Sequence, residues 1–223
     1  MNEPIQSLAA AATALNASCG RKTPFALAFL TDRTRIADPL AVAAALPAEA
    51  AVILRDYDMA GREMLALALA EIAAERRLVL VIGGDVELAR RVGAGLHLRS
   101  DQVGRMKSSM FPTAVAGGGF HQPDSPPILI ASCHSAAELA RAAELGADLA
   151  LLGPVFATKS HPSAQPLGVA AFKALAAASP IPVLALGGVK SANAGLLGGR
   201  NVAGIAAIGA FSAIGNRQSA IGT

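Results

Sequence analysis

Short apolar runs alternate along most of this chain with longer Ala- and Leu-rich segments that carry charged residues at helical spacing. Each apolar run ends in polar residues or glycine, which is typical of a strand, and the segments between the runs have the period of helices. The pattern predicts eight strands, at 25–32, 51–55, 78–83, 95–99, 128–133, 148–155, 182–188 and 202–210. It predicts helices at 39–46, 61–76, 86–92, 136–145 and 168–178, with less regular ones at 102–110 and 191–197.

Strands that are each followed by a helix predict an α/β protein with a parallel sheet. A doubly wound open sheet would normally carry a Gly-rich turn after its first strand, but this chain has Thr31-Asp32-Arg33 there. We therefore predict a single (β/α)8 TIM barrel over residues 25–223, preceded by a loosely held N-terminal extension over residues 1–24. The active site of such a barrel lies at the carboxyl ends of its strands.

Composition narrows the class of protein. Hydrophobic residues make up 53% of the 223 residues and charged residues 16%, which suits a globule with a sizeable core. The net charge is only +3, the cations are scattered and Trp is absent, so a nucleic-acid-binding role is disfavoured. No apolar run has the length of a membrane span, and the first twenty residues lack the pattern of a secretory signal. Cys19 and Cys133 are too few for a disulfide framework, so we expect a cytoplasmic protein.

Two glycine-containing turns predict a phosphate site. Gly187-Gly188 follows the seventh strand, and Ile208-Gly209 lies at the end of the eighth. In barrels of this kind the backbone N–H groups of these two loops point at a phosphate, and glycine lets the phosphate come close to the backbone. The alternative is that the glycine pair only turns the chain.

The segment after the sixth strand carries Thr158, Lys159 and Ser160. Two hydroxyls and an ammonium group at consecutive positions can hold phosphate oxygens by charge-assisted hydrogen bonds. The alternative is an ordinary solvated loop. A second irregular segment, at 111–127, contains three consecutive glycines and four prolines, and we interpret it either as an irregular connection or as a lid over the site.

Several segments together resemble a known family. They are Phe29-Leu30-Thr31-Asp32, Leu54-Arg55, Gly95-Leu96-His97-Leu98, Ser132-Cys133-His134-Ser135, Glu144-Leu145-Gly146-Ala147-Asp148, Gly153-Pro154-Val155-Phe156-Ala157-Thr158-Lys159 and Ile181-Pro182-Val183-Leu184-Ala185-Leu186-Gly187-Gly188-Val189. Their order resembles that of thiamine phosphate synthase and its sister enzyme, thiazole tautomerase. The resemblance covers residues 25–211 and is most specific where Gly-Pro-Val-Phe-x-Thr-Lys is followed by Gly-Gly-Val.

The resemblance implies a barrel that acts on thiazole phosphate. In the synthase, a pyrimidine diphosphate ionises, magnesium and basic residues stabilise the departing diphosphate, and the thiazole nitrogen captures the carbocation. The tautomerase instead moves a proton on a thiazole phosphate carboxylate, which requires general acid/base chemistry and no metal. The resemblance assigns the thiazole phosphate contacts to Thr158, Lys159, Ser160, Gly188 and the Ile208-Gly209 backbone.

The diphosphate half of the family pattern is altered after strand two. The family has Arg-x-Lys there, whereas this chain has Arg55-Asp56-Tyr57, so that a phenol replaces a cation. Arg55 remains as the candidate anion contact at this position. The change removes one of the positive charges that would face a diphosphate.

The magnesium positions of the family pattern are altered after strands three and four. After strand three, the family's Asn-Asp-Arg corresponds to Gly83-Gly84-Asp85 in this chain. After strand four, Gln102 stands where the family has its second magnesium-holding carboxylate, and Asp101 lies one position earlier. A hard cation needs oxygen ligands at fixed positions. Asp85 and Asp101 are the candidate magnesium ligands. Magnesium would be a cofactor only if the chain were a synthase.

His134 is the candidate proton carrier at the end of strand five. In the tautomerase branch a His at the corresponding position resembles the acid/base residue, and an imidazole is suited to moving protons near neutral pH. The alternative is that His134 caps the following helix or packs at the strand end. We interpret His97, which lies between two leucines, as a satisfied barrel histidine, and Cys133 as a packing residue.

The residues favour an enzyme of this superfamily that binds a small phosphorylated substrate and carries out tautomerase-like proton transfer. Two alternatives stay open: a divergent magnesium-dependent synthase, and a non-catalytic barrel that binds thiazole phosphate. Whether copies of the chain form a homo-oligomer is left open by the sequence.

Overall fold

Eight parallel strands form a closed barrel in which each strand pairs with the next along the chain and β8 pairs with β1. The computed structural model describes residues 3–105, 128–158 and 165–216. The strands are β1 (Leu27–Leu30), β2 (Ala51–Leu54), β3 (Val79–Gly83), β4 (Gly95–Leu98), β5 (Leu129–Cys133), β6 (Leu149–Leu152), β7 (Val183–Leu186) and β8 (Val202–Ala207). The predicted TIM barrel and its eight strands are confirmed.

The strands are apolar on both faces because one face lines the barrel interior and the other lies under the helices. Every residue of β1, β2, β6 and β8 is buried. Phe29 of β1 also meets Phe211, which follows β8, with ring centres 5.1 Å apart in an edge-to-face arrangement. The core therefore consists of the barrel interior together with a surrounding layer between the strands and the helices.

Helices connect the strands and cover the barrel. They are α1 (Glu3–Ala17), α2 (Pro39–Ala45), α3 (Arg62–Arg76), α4 (Val86–Arg91), α5 (Ser100–Arg105), α6 (Ala136–Glu144), α7 (Gly168–Ala178), α8 (Ser191–Ala194) and α9 (Ser212–Gly215), and short 3-10 turns lie at Gly195–Leu197 and Gly209–Phe211. The segment 111–127 and the last part of the helix predicted at 102–110 lie outside the described residues. Within the described ranges, no helix has the length and apolar character needed to cross a membrane.

Three helices begin where a short polar side chain accepts a hydrogen bond from the backbone of the first turn. Asp38 accepts from the N–H of Ala41 at the start of α2, and Ser135 accepts from the N–H of Glu138 at the start of α6. Asp85 does the same for α4. These caps satisfy N–H groups that have no partner inside the helix, and they fix where each loop after a strand ends.

The N-terminal region differs from the loosely held extension that the sequence predicted. Residues 3–17 form α1, which buries Ile5, Leu8, Ala12 and Leu15 against the barrel. The helix packs on β8 and beside α8, and Asn16 donates a side-chain hydrogen bond of 2.8 Å to the carbonyl oxygen of Ala203. The burial of an apolar stripe holds this segment in place.

The last described helix holds the loop that follows β1. Asp38 N–H donates to the carbonyl of Gly215 at 2.9 Å, and the side chain of Asn216 accepts from Ala37 N–H and donates to the carbonyl of Arg35. Helix α9, which makes these contacts possible, is four residues long. The loop after β1 and the loop after β8 are thereby joined at the carboxyl end of the barrel.

Candidate active site

The carboxyl ends of the strands bring the candidate residues to one end of the barrel. Because all eight strands run parallel, the residues that follow them share one rim. The rim residues are Arg55 after β2, Gly83-Gly84 after β3, Arg99 after β4, His134 after β5, Gly153 to Thr158 after β6, Gly187-Gly188 after β7 and Ile208-Gly209 after β8. The rim has two halves: the β5–β8 half contains the glycine loops, and the β2–β4 half contains the arginines.

The glycine pair after β7 lies closely against the segment that follows β6. Phe156 N–H donates to the carbonyl of Gly187 at 3.0 Å. Gly188 has φ +66°, and a Cβ there would lie 2.7 Å from both the carbonyl oxygen of Ala157 and the Cβ of Phe156. A side chain at position 188 would thus be strained and would collide with backbone. The structure brings Gly187, Gly188 and the 154–157 segment together at the carboxyl end of the barrel, and we call this group of residues the glycine cup.

The remaining predicted phosphate contacts differ in how far the structure describes them. Ile208 is buried and Gly209 opens the 3-10 turn after β8, so both lie beside the glycine cup at the end of the neighbouring strand. Thr158 is half-buried at the end of a described range. Lys159 and Ser160 lie outside the described residues, so their contacts with phosphate stay predictions.

His134 is held by hydrogen bonds at both its backbone and its ring. Its backbone N–H donates to a carboxylate oxygen of Glu138 at 2.5 Å, and its Nδ1 lies at hydrogen-bond distance from the carbonyl oxygen of Gly153. A carbonyl oxygen can only accept, so Nδ1 carries the proton, and in the neutral ring Nε2 carries the lone pair. The residue is exposed, and Ser135 rather than His134 caps α6. An exposed ring with a fixed tautomer can act as a general base through Nε2.

The β2–β4 half contains a cleft of about 320 Å³. Tyr57 forms part of its wall, and the guanidinium carbon of Arg99 lies 5.0 Å from the centre of the Tyr57 ring, a cation–π contact. Burial raises the pKa of the Tyr57 phenol, against the opposing effect of three nearby arginines. These arginines are Arg55, Arg99 and Arg62. The Tyr57 side chain is therefore a neutral phenol at physiological pH, and it adds no negative charge to the cleft.

Arg62 is a site residue that sequence reasoning missed. It projects from α3, and its Nη2 donates to the carbonyl of Gly83 at 2.6 Å while its Nη1 pairs with Asp85 at 3.1 Å. Its side chain is 11% exposed. No sequence signal marks it, because its role depends on a long side chain that reaches from a helix to the next strand end.

The candidate magnesium ligands are already engaged by arginines and backbone. Asp85 accepts from the N–H of Leu88 and pairs with Arg62, and Asp101 forms two contacts with Arg99, at 3.1 and 3.2 Å. Each carboxylate is thus paired with a guanidinium. The interpretation of Asp85 and Asp101 as magnesium ligands stays a prediction.

The two positions where the family pattern has carboxylates are Gly84 and Gln102, and the structure places them in contact. The side-chain amide of Gln102 donates to the carbonyl of Gly84 at 3.3 Å and accepts from Arg99 N–H at 3.0 Å. Among the described residues no three His, Cys, Asp or Glu side chains come together as metal ligands would. An amide bonded to backbone is a poor replacement for a carboxylate pair, so these residues do not fit magnesium.

His97 lies inside the barrel and is only partly satisfied, which corrects the prediction of a satisfied histidine. It is 1% exposed, its Nε2 lies 2.8 Å from the hydroxyl of Ser132, and its buried Nδ1 has no hydrogen-bond partner in the part of the chain that is described. Burial, with Arg55 and Arg99 as smaller causes, lowers the pKa of His97 to about 3. The ring is therefore neutral near pH 7 and cannot serve there as a general acid.

Cys133, which precedes His134 in the sequence, packs inside the protein. It is fully buried, and burial, with Glu138 as a smaller cause, raises the pKa of its thiol to about 12. A thiol of this kind is protonated near neutral pH and is a poor nucleophile. The interpretation of Cys133 as a packing residue agrees with this position.

Comparison with known proteins identifies the family. The profile of the family described as thiamine monophosphate synthase matches residues 27–211. A thiamine-phosphate synthase of Methanoculleus marisnigri is 32% identical over 194 residues, which cover 84% of this chain and 86% of the relative. A putative thiamine-phosphate synthase of Geobacter sulfurreducens is 34% identical over 208 residues, which cover 86% of this chain and 89% of the relative.

A solved structure shares the fold. The thiamine phosphate pyrophosphorylase of Pyrococcus furiosus superposes with a TM-score of 0.61 at 22% identity, covering 88% of this chain and 96% of that protein. The family match spans β1 to the turn after β8, and so includes every loop of the rim described above. The chain belongs to the thiamine monophosphate synthase family.

Proposed function

We propose that this protein is a thiamine-biosynthetic enzyme that binds thiazole phosphate in the glycine cup and moves a proton on the thiazole through His134. The observation that carries the proposal is the hydrogen bond between His134 Nδ1 and the carbonyl of Gly153. It leaves Nε2 as the acceptor of a proton on an exposed ring at the carboxyl end of β5, where barrels of this fold carry out their chemistry.

A single segment connects the proposed base to the proposed phosphate site. The carbonyl of Gly153 accepts the hydrogen bond from His134. Three residues later, the N–H of Phe156 donates to the carbonyl of Gly187, and the Cβ of Phe156 lies against Gly188. A ligand held by its phosphate in the glycine cup would lie along this segment, with its ring toward β5. The geometry thus supports one ligand reaching both groups.

The proposed reaction is an isomerisation. Nε2 takes a proton from a carbon of the thiazole, the electron pair of the broken C–H bond moves into the ring system, and the imidazolium returns the proton to another carbon of the same molecule. The carbonyl of Gly153 stabilises the imidazolium as it forms, because it accepts a hydrogen bond from Nδ1. No net proton is gained or lost, and no metal takes part.

The second candidate function is the synthase reaction that joins thiazole phosphate to a pyrimidine diphosphate. It is supported by the names of the relatives and by the three arginines around Tyr57, which supply positive charge near a leaving diphosphate. It is disfavoured by the engagement of Asp85 and Asp101 with arginines. Thiamine phosphate formation from the two phosphorylated substrates, measured with and without magnesium, separates it from the first candidate.

The test of the first candidate is His134→Asn. General acid/base catalysis is typically worth about 10² to 10⁴ in rate, so we expect kcat for the tautomerisation to fall by at least about 10². Asn can still donate to the carbonyl of Gly153, and the affinity for thiazole phosphate, measured by calorimetry, should stay close to that of the wild type.

Ser135→Ala is the matched control, because it removes the cap of α6 next to His134 without touching the ring. We expect a loss of roughly 1 kcal/mol in the free energy of unfolding and an unchanged kcat. If His134→Asn lowers the melting temperature like the control and leaves kcat intact, His134 is structural and the proposal is wrong. Tight thiazole phosphate binding without any turnover would favour the non-catalytic barrel.

As part of this proposal we place the protein in the cytoplasm. The described residues contain two cysteines, Cys19 and Cys133, which are both buried and unpaired. Free thiols are usual in a reducing compartment.

A further inference from the structure

Asn193 of α8 is bonded to the loop after β7 at two points. Its Nδ2 donates to the carbonyl of Gly188 at 3.1 Å, and its Oδ1 accepts from the N–H of Lys190 at 2.8 Å. A carbonyl oxygen can only accept and a backbone N–H can only donate, so these two partners fix the orientation of the half-buried amide. A single side chain thereby holds residues 188–190 at both ends.

Both carbonyl groups of the glycine pair have hydrogen-bond donors. Gly187 accepts from the N–H of Phe156 at 3.0 Å, and Gly188 accepts from Asn193. In a trans peptide the C=O group and the N–H of the next residue point in opposite directions. The N–H of Gly188 therefore points away from Phe156, and the N–H of Val189 points away from Asn193.

These two N–H groups are donors without a recorded acceptor. Within residues 3–105, 128–158 and 165–216, neither the N–H of Gly188 nor that of Val189 forms a hydrogen bond. Val189 is only 4% exposed, and a buried N–H group nearly always has a partner in a folded protein. The loop therefore offers two N–H donors while the carbonyls of its glycines are occupied, which suits an anion.

We propose that Asn193 is a positioning residue of the glycine cup, and that it keeps the N–H groups of Gly188 and Val189 directed at a bound phosphate. The proposal rests on the phosphate site of the proposed function. Gly188 has no Cβ to restrict its backbone, so the peptide that follows it can rotate unless it is held. Rotation would replace the Val189 N–H by the Gly188 carbonyl oxygen, which repels phosphate, and the bond from Asn193 opposes that rotation.

The experiment measures binding of thiazole phosphate, its dephosphorylated alcohol and inorganic phosphate to the full chain by calorimetry. We expect Asn193→Ala to weaken both phosphate-containing ligands about tenfold, the usual worth of a hydrogen bond to a charged group, and to leave the alcohol unchanged. In the tautomerisation, KM should rise by a similar factor and kcat should stay the same, because the hydrogen bonds of His134 are left as they are.

The amide proton of Val189 gives a readout that a loss of stability alone does not move. In ¹H–¹⁵N NMR spectra its resonance should shift downfield when inorganic phosphate saturates the wild type, because a hydrogen bond to an anion deshields the proton. The shift should be smaller in Asn193→Ala at saturating phosphate. Asn193→Asp keeps an acceptor for Lys190 but cannot donate to Gly188, so it should bind phosphate at least as weakly as Asn193→Ala.

Asn16→Ala is the matched control. Asn16 also donates two side-chain hydrogen bonds, to the hydroxyl of Thr23 and to the carbonyl of Ala203, but it does so at the amino end of β8. We expect this variant to melt at a lower temperature and to bind phosphate as the wild type does. If Asn193→Ala does not fold, Asn193→Asp carries the test.

Three outcomes overturn the proposal and differ in what else they overturn. If Asn193→Ala binds thiazole phosphate as the wild type does while Gly188→Val has lost it, the cup is correctly placed and Asn193 has no part in it. Equal weakening of thiazole phosphate and its alcohol by Asn193→Ala shows a structural role only. If the wild type binds neither thiazole phosphate nor inorganic phosphate, the phosphate site of the proposed function fails together with the role of Asn193.

Discussion

The side-chain amide of Gln102 donates a hydrogen bond of 3.3 Å to the carbonyl oxygen of Gly84 and so joins the loop after β3 to the helix after β4. In the family pattern both positions carry the carboxylates that hold magnesium. The contact shows that the two positions are still adjacent in this protein, although neither now offers a carboxylate.

Carboxylates at both positions should therefore create a site that binds a metal ion. We expect Gly84→Asp/Gln102→Asp to bind Mn²⁺, followed by electron paramagnetic resonance, under conditions where the wild type does not, because carboxylate oxygens are the ligands that such cations prefer. A Cβ at Gly84 would be 3.5 Å from Tyr57 and Gln102, which is ordinary contact. The φ of +71° at Gly84 adds a backbone cost of about 1 to 2 kcal/mol.

Gly84→Asn/Gln102→Asn is the matched control for this gain of binding, because it has the same shape and backbone cost without the charge. It should not bind Mn²⁺. Wild-type Mn²⁺ binding that is abolished by Asp85→Asn would instead show that the ion-paired carboxylates are metal ligands after all.

His97 should make the protein less stable in acid. Its pKa is about 3 in the folded protein because of burial, whereas an ordinary His titrates near 6.5, so the unfolded chain binds the extra proton between these values. Stability should fall as the pH drops from about 6.5 toward about 3, with a slope of up to about 1.4 kcal/mol per pH unit from this residue. Urea unfolding across this range measures it, and His97→Gln should remove that part of the slope. An unchanged slope in the variant would contradict a neutral, buried imidazole.

Leu8 tests whether α1 is part of the folded structure. Because Leu8 is 2% exposed, we expect Leu8→Ala to lower the free energy of unfolding by about 2 to 5 kcal/mol, as in other cores. The control is Gln6→Ala on the exposed face of the same helix, which should change stability by no more than about 0.5 kcal/mol. Equal, negligible effects of the two substitutions would mean that the extension is loosely held.

The thiol of Cys133 should be unreactive in the folded protein. Burial raises its pKa to about 12, and Cys19 is also buried, so a disulfide reagent such as 5,5′-dithiobis(2-nitrobenzoate) should label neither until the chain unfolds. Adding urea should then expose both thiols in the same transition that is seen by circular dichroism. Rapid labelling of one thiol under native conditions would show an opening near that cysteine.

The sequence predicted those parts of the structure whose signals are local. Strand β7 and helix α7 each have their own apolar pattern, and the structure has them within a few residues of the predicted bounds. Helix α1 was missed because its Ala-rich sequence has little polar contrast and its partner Ala203 is 187 residues away from Asn16. Periodicity shows that a face is apolar but not what covers it.

The same difference between local sequence signals and long-range contacts applies to the residues of the site. The position of Gly188 and His134 at one rim could be predicted, because residues that follow parallel strands gather at one end of a barrel. The position of Arg62 could not be predicted, because its long side chain reaches the cleft from α3, and spacing along the chain does not show such a reach. The pairing of Gln102 with Gly84 is likewise a property of three-dimensional contact.

The packing of α1 on β8 has a consequence for how the molecule is made. Helix α1 precedes every strand of the barrel in the chain, but it packs mainly on β8 and α8, so most of the native partners of its apolar stripe are synthesised after the first seven strands. Until then that stripe is a place where chaperones or other nascent chains can attach. A permuted gene that encodes α1 after α9 would make this long-range contact local, and such a chain should close its barrel faster and aggregate less during refolding.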